Sequence, residues 1–267
     1  MNALAPSTQS LARGRHAELY ALEPGRVLKL FHAGYPRGAV EAEFGRAAAA
    51  HAAGIPTPRP AGIIESRGRT GIAFERCEGP TLLQALAAGA AAPERLAQIF
   101  FGLQRAIHAV AAPSRFPDLK ESVAAKIARA ARASAALRAR ALEALAALPA
   151  GRAACHGDFH PANVIMSAAG PLVVDWLDAG RADAALDAAR SLLLLRFARA
   201  DAIADAPRAA FVAAYAACAR EAWPGGSQAI ERWQAPLAVA RLAEPAEGAE
   251  CEKLLQLAST MLGASPS

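Results

Sequence analysis

Cysteine is sparse and scattered in this chain of 267 residues: Cys77, Cys155, Cys218 and Cys251 include no Cys-x-x-Cys pair. That spacing gives neither a zinc-ligand pattern nor a disulfide framework, so reduced thiols are expected. Long apolar runs are missing too. No stretch reaches the roughly 18 uncharged apolar residues of a membrane span, and the apolar run that starts at residue 191 is interrupted at Arg196. Residues 1–15 hold no apolar core of a signal peptide, so a cytoplasmic protein with no membrane contact is expected. Dense Lys/Arg runs are absent as well. A net charge of +5 is carried mostly by dispersed arginines, which gives no argument for a nucleic-acid partner.

What is abundant is small and aliphatic. Hydrophobic residues make up 54% of the chain but aromatics only 6%, so the core has to be built from Leu, Ile, Val and Ala. Alanine favours helix while burying little. The first third nevertheless reads as strands. Residues 16–22 alternate, Glu23-Pro24-Gly25 marks a turn, and Val27-Leu28-Lys29-Leu30-Phe31 resumes a strand, which predicts a hairpin. A helix is predicted over 38–53, closed by Gly54 and Pro56, and strands over 61–66 and 71–76.

From Pro80 the pattern becomes helical, over 82–88, 93–110, 119–148, 184–199, 207–220, 228–242 and 250–262. Prolines and glycines such as Pro149-Ala150-Gly151 and Pro224-Gly225-Gly226 punctuate these stretches. Only 164–166 and 171–174 interrupt them as short strands. This predicts an α+β chain with a small β-rich lobe to residue 77, a larger, mostly helical lobe over 78–267, and a ligand cleft between them. Lys126, Arg129, Arg132, Arg138 and Arg140 are expected on a solvated helix face.

The chemistry concentrates in His156-Gly157-Asp158-Phe159-His160-Pro161-Ala162-Asn163 and Val173-Val174-Asp175-Trp176. A carboxylate, an amide five residues on and a second carboxylate after a short strand are what phosphoryl transfer needs. Metal ions neutralise a triphosphate, and a base orients the attacking hydroxyl. Asn163 and Asp175 offer hard oxygen ligands suited to Mg²⁺, and Asp158 is the candidate catalytic base.

This pattern resembles the His-Gly-Asp-x-x-x-x-Asn and Asp-Trp signature of the aminoglycoside phosphotransferase/choline kinase-like family, relatives of the protein kinases. The resemblance implies a protein kinase-like, two-lobed fold, with residues 1–77 as a nucleotide-binding lobe and 78–267 as a catalytic and acceptor-binding lobe. It implies ATP and Mg²⁺ as cofactors and a small-molecule hydroxyl as acceptor. It also calls for a strand lysine paired with a helix glutamate, met here by Lys29 and Glu43, with Glu41 as the competing partner. Glu75, Arg76 and Cys77 then fall on the hinge that meets adenine through backbone groups. Residues 12–17 would cover the phosphates with a single glycine, Gly14. His156 and Asp187 are expected to brace the loop, and His108 to be buried.

The resemblance does not choose the acceptor. A cationic aminoglycoside wants a carboxylate-lined pocket, and Glu244, Glu247, Glu250 and Glu252 cluster near the end of the chain, although a solvated acidic face accounts for them as well. The sequence is silent on ATP against GTP and on oligomeric state. A catalytically silent nucleotide-binding regulator of the same fold is the alternative function, motivated by the glycine-poor phosphate loop.

Overall fold

A computed structural model describes residues 6–198, 203–223, 225–245 and 248–263. Its elements fall into two compact units, Met1–Thr81 with Asn163–Asp178, and Leu82–Ala162 with Ala179–Ser267.

In the first unit, β1 (Pro6–Arg13), β2 (Ala17–Leu22), β3 (Arg26–Phe31), β4 (Pro60–Ser66) and β5 (Arg69–Glu75) form one sheet in the order β1-β2-β3-β5-β4. Every pairing is antiparallel. Side chains alternate across a strand, so Leu28 and Leu30 of β3 join Tyr20, Leu22 and Ala73 on one face. Phe31 joins Ala17 and Ile72 on the other, where Val40 of helix α1 (Arg37–Ala52) packs. β1 is absent from the sequence expectation. Its Ser- and Gln-containing segment has no alternation, and it is a strand because it pairs along β2, with two irregularities in register.

The hairpin of β7 (Val164–Ser167) and β8 (Gly170–Val173) belongs to this first unit. Val173 donates its N–H to Pro56 at 2.8 Å, Met166 donates to Pro80 at 2.8 Å, and the Trp176 indole donates to the Thr57 hydroxyl at 2.9 Å. Gly79, at φ +143°, lets the chain pass the hairpin. A Cβ there would lie 2.2 Å from the Met166 carbonyl oxygen, so no other residue fits without a backbone shift.

The second unit contains α2 (Leu82–Ala87), α3 (Pro93–His108), α4 (Leu119–Arg129), α5 (Ala135–Ala147), α6 (Ala184–Phe197), α7 (Asp205–Ala222), α8 (Gly226–Arg241) and α9 (Gly248–Leu262). A small antiparallel pair, β6 (Ala153–Cys155) with β9 (Gly180–Ala182), lies among them. Phe100 stacks on Phe159 with ring centroids 4.2 Å apart and meets Tyr215 edge-on at 5.3 Å.

The expected helix over 119–148 is two helices. Ser134 caps α5 by accepting from the Leu137 N–H at 3.2 Å, a start signal hidden in an alanine-rich run. β6 and β9 were not expected, being too short to carry a period of their own. The expected helix end at Arg199, the turn residue Pro224 and Glu247 of the acidic cluster lie outside the described residues.

Candidate functional site

In the first unit, β3 is the central strand of the sheet, and alternation puts Lys29 on the same face as Phe31, toward α1. On α1, Val40, Glu43, Ala47 and Ala50 form the buried stripe, with the spacing of one helix face. Glu43 therefore faces the sheet, and Lys29 Nζ lies 2.6 Å from Glu43 Oε1. Glu41 points elsewhere and pairs with Arg37 at 2.8 Å, which resolves the choice between the two glutamates.

Lys29 Nζ also lies 2.9 Å from Asp175 Oδ1. Burial opposes the Lys29 ammonium, but the Asp175 and Glu43 carboxylates outweigh it and hold its pKa above the ordinary value. Glu43 is 1% exposed, whereas the Asp175 side chain is 44% exposed. Asp175 sits at φ +70°, a left-handed conformation unusual for a residue with a Cβ and found disproportionately at functional sites.

Asn163 ends the short 3-10 turn Pro161–Asn163 and accepts the Val174 N–H at 3.0 Å, which ties it to the residue before Asp175. The amide and carboxylate oxygens of Asn163 and Asp175 are a donor set that fits Mg²⁺. At the expected hinge, the N–H groups of Glu75 and Arg76 are taken by Arg59 and Gly25 carbonyls at 2.9 and 3.0 Å. Cys77 lies just beyond, its thiol pushed up by burial. In the 12–17 turn, Gly14 N–H bonds the Ala17 carbonyl at 2.8 Å, and Arg13 is paired with Glu18 at 2.5 Å.

In the second unit, the loop carrying Asp158 is suspended from α6. Asp187, fully buried, accepts from Gly157 N at 2.8 Å, from His156 N at 3.2 Å and from His108 Nε2 at 3.0 Å. Ser191, one turn on, donates to the Phe159 carbonyl at 2.8 Å. His156 Nδ1 accepts the Asp158 N–H at 3.3 Å. Both expected braces are in place.

Asp158 itself is partly exposed, with Arg190 Nη2 3.2 Å from its Oδ1 and His160 Nε2 3.5 Å from its Oδ2. Burial alone would raise its pKa, but the His160 hydrogen bond and the Arg190 charge outweigh it and keep the group ionised, well below the usual range. The ligand atoms of His108, Cys155 and Asp187 lie within 4.8 Å of one another. Asp187 is already engaged by Gly157, His156 and His108, and burial pushes the Cys155 thiol well up.

Sequence reasoning missed Arg190. It lies on α6 three residues after Asp187 and next to Ser191, a polar group in a helix made mostly of Leu and Ala, and that grouping was the available signal. Arg190 also binds Glu244 Oε2 at 2.8 Å. Glu244 and Glu250 are not a solvated acidic face, because Lys126 and Arg241 pair with Glu244 at 2.8 and 2.6 Å and Arg241 with Glu250 at 2.8 Å. Lys126 is thereby drawn off the solvated face expected of it.

Burial opposes ionisation of Glu244, but Arg190 and Lys126 outweigh it and hold its pKa down at about 2, against an ordinary 4.5. A depressed carboxylate contributes stability above its unfolded pKa and loses it as pH falls through the folded one. Thermal melts should therefore show wild-type protein losing stability between about pH 4.5 and 2, with Glu244→Gln losing less over that window.

Three comparisons with known proteins bear on this arrangement. The pattern of the phosphotransferase enzyme family matches residues 7–229. A search of curated proteins returned no significant match. Among solved structures, the chain is similar to a thermostable mutant of the aminoglycoside phosphotransferase APH(4)-Ia in ternary complex with ADP and hygromycin B. That likeness has 17% identity and a TM-score of 0.65 over 97% of this chain and 92% of that one. A choline/ethanolamine kinase family protein from Mesorhizobium loti follows with 16% identity and a TM-score of 0.62, over 97% and 88%. The aminoglycoside phosphotransferase APH(3'')-Id from Streptomyces rimosus, in complex with ADP and streptomycin, has 21% identity and a TM-score of 0.55, over 89% and 92%. These likenesses bear out the α+β, kinase-like fold class. Among the described residues, no helix is long and apolar enough to cross a membrane.

Proposed function

Since this chain belongs to the phosphotransferase enzyme family, we propose that it transfers the γ-phosphoryl group of ATP to a hydroxyl of a small molecule, with Mg²⁺. The observation that carries the reading is the meeting of Lys29 and Glu43 with Asp175, which lies 146 residues beyond Lys29, in one ion-paired cluster. In this reading Lys29, oriented by Glu43, holds the α- and β-phosphates. Asn163 and Asp175 hold the metal, which when bound neutralises charge on the phosphates. Backbone groups of Glu75, Arg76 and Cys77 meet adenine. Asp158 accepts a hydrogen bond from the acceptor hydroxyl and points its oxygen at the phosphorus.

The division of labour follows the same line, residues 1–77 serving the nucleotide and 78–267 catalysis and the acceptor, with Asn163 and Asp175 carried on a hairpin that folds with the first group. The acceptor is a small alcohol, aminoglycoside-like or other. Glu244 and Glu250, which would draw a polycation, are already neutralised by Arg190, Arg241 and Lys126. Neutral alcohols therefore belong in any acceptor panel beside the antibiotics. MgATP at a hundredfold over its Kd should raise the unfolding free energy by about 2.7 kcal/mol, read as a rise in Tm. No shift at any MgATP concentration would end the nucleotide assignment.

A further inference from the structure

We propose that Arg190 and Glu244 are positioning residues that fix the direction in which the Asp158 carboxylate points, and that helices α4, α8 and α9 serve the reaction through them. The inference rests on the function proposed above for Asp158, and it gives the helices late in the chain a task other than lining an acceptor pocket.

A carboxylate turns about a broad, two-fold torsion, so an aspartate that must present one oxygen in a set direction needs a fixed donor on the other. Arg190 supplies it. Its Nη2 binds Oδ1 of Asp158 at 3.2 Å, on the side of the carboxylate away from His160, whose Nε2 lies 3.5 Å from Oδ2. A long arginine side chain is itself mobile unless held, so its own anchoring decides whether it can aim a partner. Here it is 5% exposed, and the same Nη2 reaches Glu244 Oε2 at 2.8 Å.

Glu244 is immobilised in turn by Lys126 of α4 at 2.8 Å and Arg241 of α8 at 2.6 Å. Arg241 is fixed by Glu250 of α9 at 2.8 Å. The chain of charges therefore runs from three helices to one oxygen of one carboxylate. Buried ion pairs contribute little net stability compared with apolar residues of the same size. What this one does provide is a direction. With a loose phosphoryl-transfer transition state, orientation of the hydroxyl matters more than the basicity of the group that receives its proton, so the acidifying effect of Arg190 on Asp158 carries little penalty.

The groups facing Asp158 include His156, His160 and Arg190, and those facing Arg190 include Asp158 and Glu244. The test uses the full chain and the variants Arg190→Gln, Arg190→Lys, Glu244→Gln and Arg190→Gln/Glu244→Gln. Arg190→Gln should lower kcat by about tenfold or more, as a misaimed reacting group does, with the KM for ATP within about twofold of wild type. Arg190→Lys should recover part of the loss, because it keeps the charge without the rigid fork. The double variant should be no worse than Arg190→Gln, since Glu244 acts through Arg190.

A second readout needs no acceptor. The ¹³C carboxyl resonance of Asp158, assigned with Asp158→Asn, should titrate at higher pH in Arg190→Gln than in wild type. If that midpoint moves while wild-type protein phosphorylates nothing, the positioning contact stands and the kinase reading fails. A folded Arg190→Gln variant with kcat within twofold of wild type, or an unmoved Asp158 midpoint, overturns the proposal. Should Arg190→Gln not fold, the same measurements on Arg190→Lys decide, with full wild-type kcat as the overturning result.

Discussion

Asp158→Asn is expected to lower kcat for phosphoryl transfer by about 10²–10⁴-fold, the usual range for removing a positioned general base, while MgATP affinity stays within about twofold. The substitution keeps size and the loop's hydrogen bonds. The Asp158 N–H to His156 bond is a backbone contact, and Asp187 and Ser191 hold the neighbouring backbone from α6. What it removes is a negative acceptor oxygen and the ion pair with Arg190. An amide still accepts a hydrogen bond through one atom but has no charge to take up the hydroxyl proton. The loss should therefore fall on kcat and not on nucleotide binding, which is assigned to Lys29, Asn163 and Asp175. Steady-state kinetics with calorimetric titration of MgATP separates the two.

Asp187→Ala is expected to destabilise the protein by about 3–5 kcal/mol at neutral pH, measured by urea denaturation. Asp187 is fully buried and takes hydrogen bonds from two consecutive backbone N–H groups and from His108 Nε2. Truncating it leaves those donors in a packed interior with no acceptor, and each orphaned group carries its desolvation cost. The variant should also lose activity, because the Gly157–Asp158 backbone is no longer held.

Much of this was legible in the residues. The His156–Asn163 motif and the Asp-Trp after a short strand named Asp158, Asn163 and Asp175, since their chemistry is packed into about twenty residues of sequence. Lys29 stood out as a charge in mid-strand. Its partner did not, because an alanine-rich α1 has almost no amphipathic contrast to mark Glu43 over Glu41. The stripe Val40, Glu43, Ala47, Ala50 becomes visible only once burial is known. Edge strand β1 was illegible for a related reason, its pattern being supplied by pairing with β2 and not by its own residues.

The same holds for the charged network. Glu244 and Lys126 are far apart in sequence and each reads alone as a surface residue, so their 2.8 Å contact belongs to tertiary packing. Arg190 was legible in principle. An arginine in the middle of a run of Ala and Leu, one turn after an aspartate, has to be paired if that helix is buried.

The most direct measurement incubates the purified protein with MgATP and a panel of neutral alcohols and aminoglycosides, and follows each acceptor by mass spectrometry. The account predicts at least one acceptor gaining the mass of a single HPO₃, with ADP formed in equal amount, and none of this with Asp158→Asn. Tight MgATP binding with no phosphorylated product from any acceptor would contradict it, as would equal product from the wild-type protein and the variant.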